Sequence, residues 1–97
     1  MNFNRIKKLQ KENGFSETQK LINSGMAWRL EGSVGRYAMS LLESGACMLP
    51  KEDKYDAYGN KVPSRDKLKQ GTKGTYQNSK KFWELVESGE IEIDEFA

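Results

Sequence analysis

Three times along the chain two aliphatic residues are followed by a polar residue and then Ser-Gly: Leu21-Ile22-Asn23-Ser24-Gly25, Leu41-Leu42-Glu43-Ser44-Gly45 and Leu85-Val86-Glu87-Ser88-Gly89. An aliphatic pair sinks the last turn of a helix into a core, and a glycine just beyond it takes the left-handed conformation that closes the helix. An apolar residue follows each glycine within two positions (Met26, Ala46, Ile91), as the hydrophobic contact of such a closure requires. The signature therefore predicts three helices that end alike. Separations of 20 and 44 residues exclude a solenoid array, which needs a constant period.

The least charged stretch, Trp28 to Gly45, holds the middle one. Ser33 reads as its cap and Val34 as its first residue, with Val34, Tyr37, Ala38, Leu41 and Leu42 on one face and Arg36, Ser40 and Glu43 on the other. Upstream, residues 3–13 read as a helix with Phe3, Ile6 and Leu9 or Gln10 on its apolar stripe, ended by Asn13-Gly14. Ser16 and Gln19 form a capping box, so a second helix runs from Glu17 to about Ser24, with Gln19 reaching back to the Ser16 N–H. Met26 to Leu30 predicts a short helical turn whose Trp28 and Leu30 pack on the core helix. Ala46 to Leu49 is extended or helical, and Pro50 stops it.

Residues 50–75 change character: Pro50, Gly59-Asn60, Pro63, Gly71 and Gly74 punctuate a lysine-rich loop. Tyr58-Gly59-Asn60 is a turn signal at the tip of a small hairpin between Tyr55 and Val62, and Pro63 to Leu68 suits one helical turn. A last helix runs from Thr75 or Asn78 to Ser88, capped by Asn78 or Ser79. Residues 90–97 alternate apolar and acidic side chains, with Ile91, Ile93 and Phe96 able to dock on the domain or on a partner. The fold class is all-α or mostly α: three to four short helices, a long basic loop at 50–75 and an acidic C-terminal tail at 90–97, in a single domain whose helical core covers about 3–49 and 76–89.

Ninety-seven residues, 36 % hydrophobic and 31 % charged, make a small core, of the size that leaves only about 5 kcal/mol of net stability, and a homodimer or a partner would add to it. There is no histidine and a single cysteine, so the commonest general base is missing and no Cys/His zinc site can be assembled. Cys47, between Ala46 and Met48, reads as a small buried hydrophobe in a reducing compartment. No apolar run is long enough to span a membrane, and the first residues lack the apolar stretch of a signal peptide; the expected location is the cytoplasm. The net charge of +2 is uneven: residues 51–81 carry nine basic and four acidic groups, whereas residues 84–97 carry six acids and no base. That pattern suits either an anionic partner regulated by the tail or a solvated surface over which the tail folds.

Signals for chemistry are few. Gly32-Ser33-Val34-Gly35-Arg36 between two helical segments resembles an anion-binding helix start, or, more simply, a close helix approach with a serine cap. Gly71-Thr72-Lys73-Gly74-Thr75 lacks the spacing and the preceding strand of a phosphate loop. The acid pairs Glu52/Asp53 and Asp94/Glu95 have no cation-loop spacing. No catalytic residue, metal site or cofactor is assigned. The residues placed as anchors for a partner are Arg36, Tyr55, Tyr58, Asn60, Arg65 and Trp83. The alternative is a nucleic-acid site along the basic 51–81 region, on Lys61, Lys67, Lys69 and Lys73.

From Leu21 to Thr75 the residues also resemble a family of small orphan proteins of tailed bacteriophages, whose core stretch runs L-x-G-x-x-G-R-x-A-x-x-L-[IL]-E-x-G. Here it reads Leu30-Glu31-Gly32, Gly35-Arg36, Ala38 and Leu41-Leu42-Glu43-Ser44-Gly45, preceded by Ala27-Trp28 and followed by Tyr58-Gly59-Asn60, Val62-Pro63 and Gly71-Thr72-Lys73-Gly74-Thr75. The chain departs at Val34, where an aromatic is common, and at Glu31, where glutamine is. The family has no established activity, so the resemblance implies a source and no mechanism. Together these features predict a non-enzymatic phage accessory protein that binds a host or phage macromolecule, inhibiting a host protein.

Overall fold

In the computed structural model, which describes residues 1–93, each of the three Ser-Gly signatures ends a helix. The helices are α1 (Phe3–Glu12), α2 (Ser16–Ser24), α3 (Gly32–Ser44) and α4 (Tyr76–Glu87), and the signatures close the last three. The closures are alike down to single atoms. The serine hydroxyl donates to the leucine carbonyl three residues back: Ser24 to Leu21 at 3.1 Å, Ser44 to Leu41 at 3.1 Å and Ser88 to Leu85 at 3.0 Å. After α2 and α3 the same oxygen accepts the N–H two residues on, from Met26 at 3.3 Å and Ala46 at 3.2 Å. The glycines that follow have φ of +83°, +101° and +83°.

The starts of the helices differ from the sequence reading. α3 begins at Gly32, with an extended Glu31 as the flanking residue, so Ser33 lies inside the first turn and caps nothing. Phe15 flanks α2 with no side-chain bond, and Gln19 turns into the core instead of back to Ser16. Thr75 caps α4, its Oγ1 accepting from the Asn78 N–H at 3.2 Å, so neither Asn78 nor Ser79 holds that place. On α3 only Ala38, Leu41 and Leu42 are buried; Tyr37 is exposed and Val34 half-buried. Trp28 packs against the core from a 3-10 turn at Met26–Trp28, but Leu30 points to solvent.

One cluster forms the core: Ile6 and Leu9 of α1, Phe15, Ile22 of α2, Ala27, the buried face of α3, residues 46–49, and Phe82 and Trp83 of α4. Trp83 meets Phe82 edge-on at 5.0 Å between centroids and Phe15 at 6.1 Å. At its centre runs an irregular segment, Ala46 to Pro50, buried throughout. Buried backbone outside a helix or sheet must find its hydrogen bonds elsewhere. Here side chains supply most of them. The Ala46 carbonyl accepts from Gln10 Nε2 at 2.9 Å and from Trp83 Nε1 at 3.2 Å. Met48 donates its N–H to Gln19 Oε1 at 2.9 Å and accepts from Gln19 Nε2 at 2.8 Å. Leu49 donates to the Gly74 carbonyl at 2.8 Å and accepts from Arg65 Nε at 2.7 Å.

Beyond this segment the chain forms an antiparallel hairpin, β1 (Lys54–Tyr55) with β2 (Lys61–Val62), in which Lys54 faces Val62 and Tyr55 faces Lys61. A second 3-10 turn, Arg65–Lys67, follows, with Ser64 Oγ accepting the Asp66 N–H. The fold is mostly α with this one small sheet among the described residues. Ile91 and Ile93 pack against the core, while Asp94 to Ala97, with Phe96 and the end of the acidic tail, lie outside the described residues.

Candidate functional site

Asp56 organises the hairpin tip. Its Oδ1 accepts the Tyr58 N–H at 2.9 Å and the Asn60 N–H at 2.8 Å, and its Oδ2 accepts from Asn60 Nδ2 at 3.2 Å. Those bonds, the one from the Asn60 backbone first, hold its carboxyl below the usual carboxylate range. The turn is closed again by Asp56 N–H to Asn60 carbonyl at 2.9 Å and Gly59 N–H to Asp56 carbonyl at 3.1 Å. Tyr58 therefore projects from a braced turn and is 90 % exposed. The hairpin is fastened to the first 3-10 turn, since Arg29 Nε donates to the Tyr55 carbonyl at 3.2 Å and Ala57 N–H to the Trp28 carbonyl at 3.4 Å. The joined segments carry further uncovered apolar side chains: Tyr55 on β1, Met26 at the start of the turn and Leu30 two residues past its end.

Of the six residues proposed as anchors, the structure brings Tyr55, Tyr58 and Asn60 together on this hairpin, with the Asn60 side chain used up in bracing it. Arg36 is exposed on α3 and folds back toward Gly32, where an added Cβ would stand 3.0 Å from its Nη1. Arg65 belongs to a different surface, half-buried with its guanidinium 5.3 Å from the centroid of the Phe3 ring. Trp83 is a correction. It is fully buried, its indole N–H is bonded within the core, and it presents nothing to a partner.

The basic loop is less available than its composition suggests. Asp53 accepts the Ser64 N–H at 2.8 Å, pairs with Lys67 and stands 3.8 Å from Lys61. The Lys67 bond foremost keeps its carboxyl below the usual range. Of the four lysines assigned to nucleic acid, Lys61 and Lys67 thus share one carboxylate, which offsets one of their two charges, and only Lys69 and Lys73 are exposed without an ion pair among the described residues. The two glycine motifs have structural work. Gly32 to Arg36 forms the first turn of α3, with Gly35 close to the Ala27 carbonyl. Thr75, ending the second motif, caps α4 and donates to the Thr72 carbonyl at 2.7 Å.

Cys47 is fully buried, and burial pushes its thiol up to about 12. Among the described residues no three Cys, Asp or Glu side chains gather to hold a metal, and no helix is long and apolar enough to cross a membrane. What the geometry offers is surface: a braced aromatic tip and a cationic groove around Arg65.

A family model described as a domain of unknown function, DUF7417, matches residues 6–62, more than half of the chain. The chain belongs to this family. No curated protein and no solved structure matches it. The DUF7417 match runs from α1 through the buried 46–50 segment to the second strand, and so contains the whole hairpin and its fastening to the first 3-10 turn. Arg65 and α4, which complete the core, lie beyond the matched residues. Sequence reasoning found the tip through its turn signal but missed Asp56, whose spacing to Asn60 at i+4 was the available cue. Arg29 was missed because only folding sets it beside Tyr55.

Proposed function

We propose that this DUF7417 protein is a non-enzymatic phage accessory protein that inhibits a host protein by occupying its surface, with the hairpin tip as the contact. The observation carrying this reading is Tyr58, 90 % exposed on a turn that Asp56 holds by three hydrogen bonds. A rigid, uncovered tyrosine loses little entropy on binding, and aromatic residues of this kind dominate the energetics of protein interfaces. Tyr55 on the same hairpin, and Met26 and Leu30 on the segment fastened to it, are further exposed apolar side chains that a partner could cover. The phage source rests on the resemblance of the core stretch, and inhibition on the exposed, braced tip, which acts on a partner by covering its surface.

The test is a pull-down of tagged protein from bacterial lysate, with and without nuclease, read by mass spectrometry. A host protein recovered in stoichiometric amount after nuclease, and reduced at least tenfold by Tyr58→Ala, is the expected result. Recovery of nucleic acid with every protein lost after nuclease would overturn the reading. So would a partner indifferent to both Tyr58→Ala and Tyr55→Ala.

A further inference from the structure

We infer that the groove between α1 and α2 is a binding site for single-stranded nucleic acid, separate from the hairpin tip. The groove encloses about 460 Å³, and no Asp or Glu is among its lining residues. Lys7 and Lys11, one helical turn apart, line it from α1 with Lys8 beside them, and Lys20 and Asn23 line it from α2. Lys20 reaches Glu17 at 3.3 Å, but Lys7, Lys8 and Lys11 make no ion pair among the described residues. Asn23 Oδ1 accepts from Gln19 Nε2 at 2.9 Å, and the Asn23 amide N–H groups have no acceptor among the described residues. Apart from Lys20, the cations of the lining thus have no acidic partner among the described residues.

Arg65 fixes the end of the groove. Its Nε is bonded to the Leu49 carbonyl and its plane rests on Phe3, whose ring is stacked in turn on Tyr76 at 6.2 Å and 20°. Its two terminal nitrogens have no acceptor among the described residues, and no carboxylate lies within 4 Å. A guanidinium held this way, half-buried and unpaired, matches a phosphate group in shape and charge. A neighbouring cavity of about 650 Å³ shares Phe3, Asn23 and Arg65 and adds Lys51 and Lys54, along with Glu52 and Asp66. Arg65 sits over Phe3 in the first turn of α1, and Lys7 and Lys11 follow one and two turns on, so these three cations succeed one another along the helix. From Phe3 to Lys11, eight residues of helix at ~1.5 Å each give roughly 12 Å of track.

A linear array of cations with an apolar floor, here Phe3 and Met48, fits a strand whose phosphates run along the lysines and whose sugars and bases lie below. A single strand can lay its unpaired bases on that floor, whereas a duplex keeps its bases stacked inside. An acidic peptide would pair its carboxylates with Arg65 and the lysines but has no planar base to lay on Phe3, so it is the competing outcome.

The experiment is fluorescence anisotropy of the full-length protein with a labelled oligothymidylate, an oligouridylate, a duplex and polyglutamate. Three phosphate contacts give a weakening of about 20-fold for a single strand as salt rises from about 50 to 200 mM. Lys7→Glu with Lys11→Glu is expected to cost at least tenfold, as is Arg65→Gln. Lys69→Glu with Lys73→Glu, an equal change of net charge at exposed positions, stays within threefold, and Tyr58→Ala has no effect. Since Lys7 and Lys11 are exposed, that pair tests the site even where Arg65→Gln disturbs the fold, with circular dichroism as the check. The inference is overturned by no binding of either strand at the lower salt, by duplex or polyglutamate binding as tightly, or by equal losses in the two double variants.

Discussion

At the scale of single residues, Gln19 shows how far one amide can be used. It accepts from Gln10 and the Met48 N–H and donates to Asn23 and the Met48 carbonyl, all between 2.8 and 2.9 Å. Gln19→Ala leaves both backbone groups of Met48 buried and unpaired, at about 1–3 kcal/mol each, so urea unfolding should show a loss of roughly 2–6 kcal/mol. Ser79 is the converse: its Oγ is buried and, among the described residues, without a partner. Ser79→Ala should therefore be neutral or stabilising by up to about 1 kcal/mol in the same assay. The capping-box pattern at Ser16 and Gln19 was legible, but its meaning was not. A hydrogen bond at a wet helix end competes with water, whereas the two that join Gln19 to the Met48 backbone, one donated and one accepted, have no substitute inside the core. Trp83 misled in the same way. Tryptophan suits an interface and a core equally well, and only the position of the Ala46 carbonyl decides between them.

At the scale of elements, helix ends were legible where the determinant is local. The Ser-Gly signature places its hydroxyl bond and left-handed glycine within five residues, so three closures followed from sequence alone. Their surroundings differ, and the difference is measurable. At Gly45 a Cβ would stand 2.7 Å from Phe82 Cβ and 2.9 Å from the Asn78 carbonyl, whereas at Gly89 it would meet nothing within 4 Å. Gly89→Ala should cost only the left-handed penalty, about 1–2 kcal/mol. Gly45→Ala adds an overlap with α4 and should cost about 3 kcal/mol or more in urea melts. The hairpin offers a second test. Because Asp56 is held below the ordinary carboxylate range, its bracing is complete above about pH 4 and is lost as pH falls through its lower folded value. The Tyr58 and Asn60 amide resonances should move together in an acid titration, and Asp56→Ala should remove that step. The cationic groove was illegible because its charges come from residues 7–11, 20 and 65. Lys51 to Lys73 drew attention instead, being contiguous, and Asp53 cancels part of them.

At the scale of the whole molecule, the absence of histidine and the burial of Cys47 shape how stability responds to pH. Asp53, Asp56 and Glu87 are held low, by Lys67, the Asn60 N–H and Arg5 respectively, so the stability they confer is present above the ordinary carboxylate value and falls away in acid. Cys47 is raised to about 12, so its unfolded thiol ionises first, and stability declines as pH rises past about 8.5. Between those limits no side chain is poised to change charge. Urea midpoints should be level from about pH 5 to 8 and drop on both sides; a slope inside that window would contradict it. The doubly accepted Ala46 carbonyl has a further consequence, for synthesis. One of its donors arrives with α1 and the other with α4, 73 residues later. A ribosome that has delivered the entire hairpin still holds back the tryptophan around which the interior closes. The nascent chain must therefore wait, with its central segment uncovered, until almost the last turn of helix has emerged.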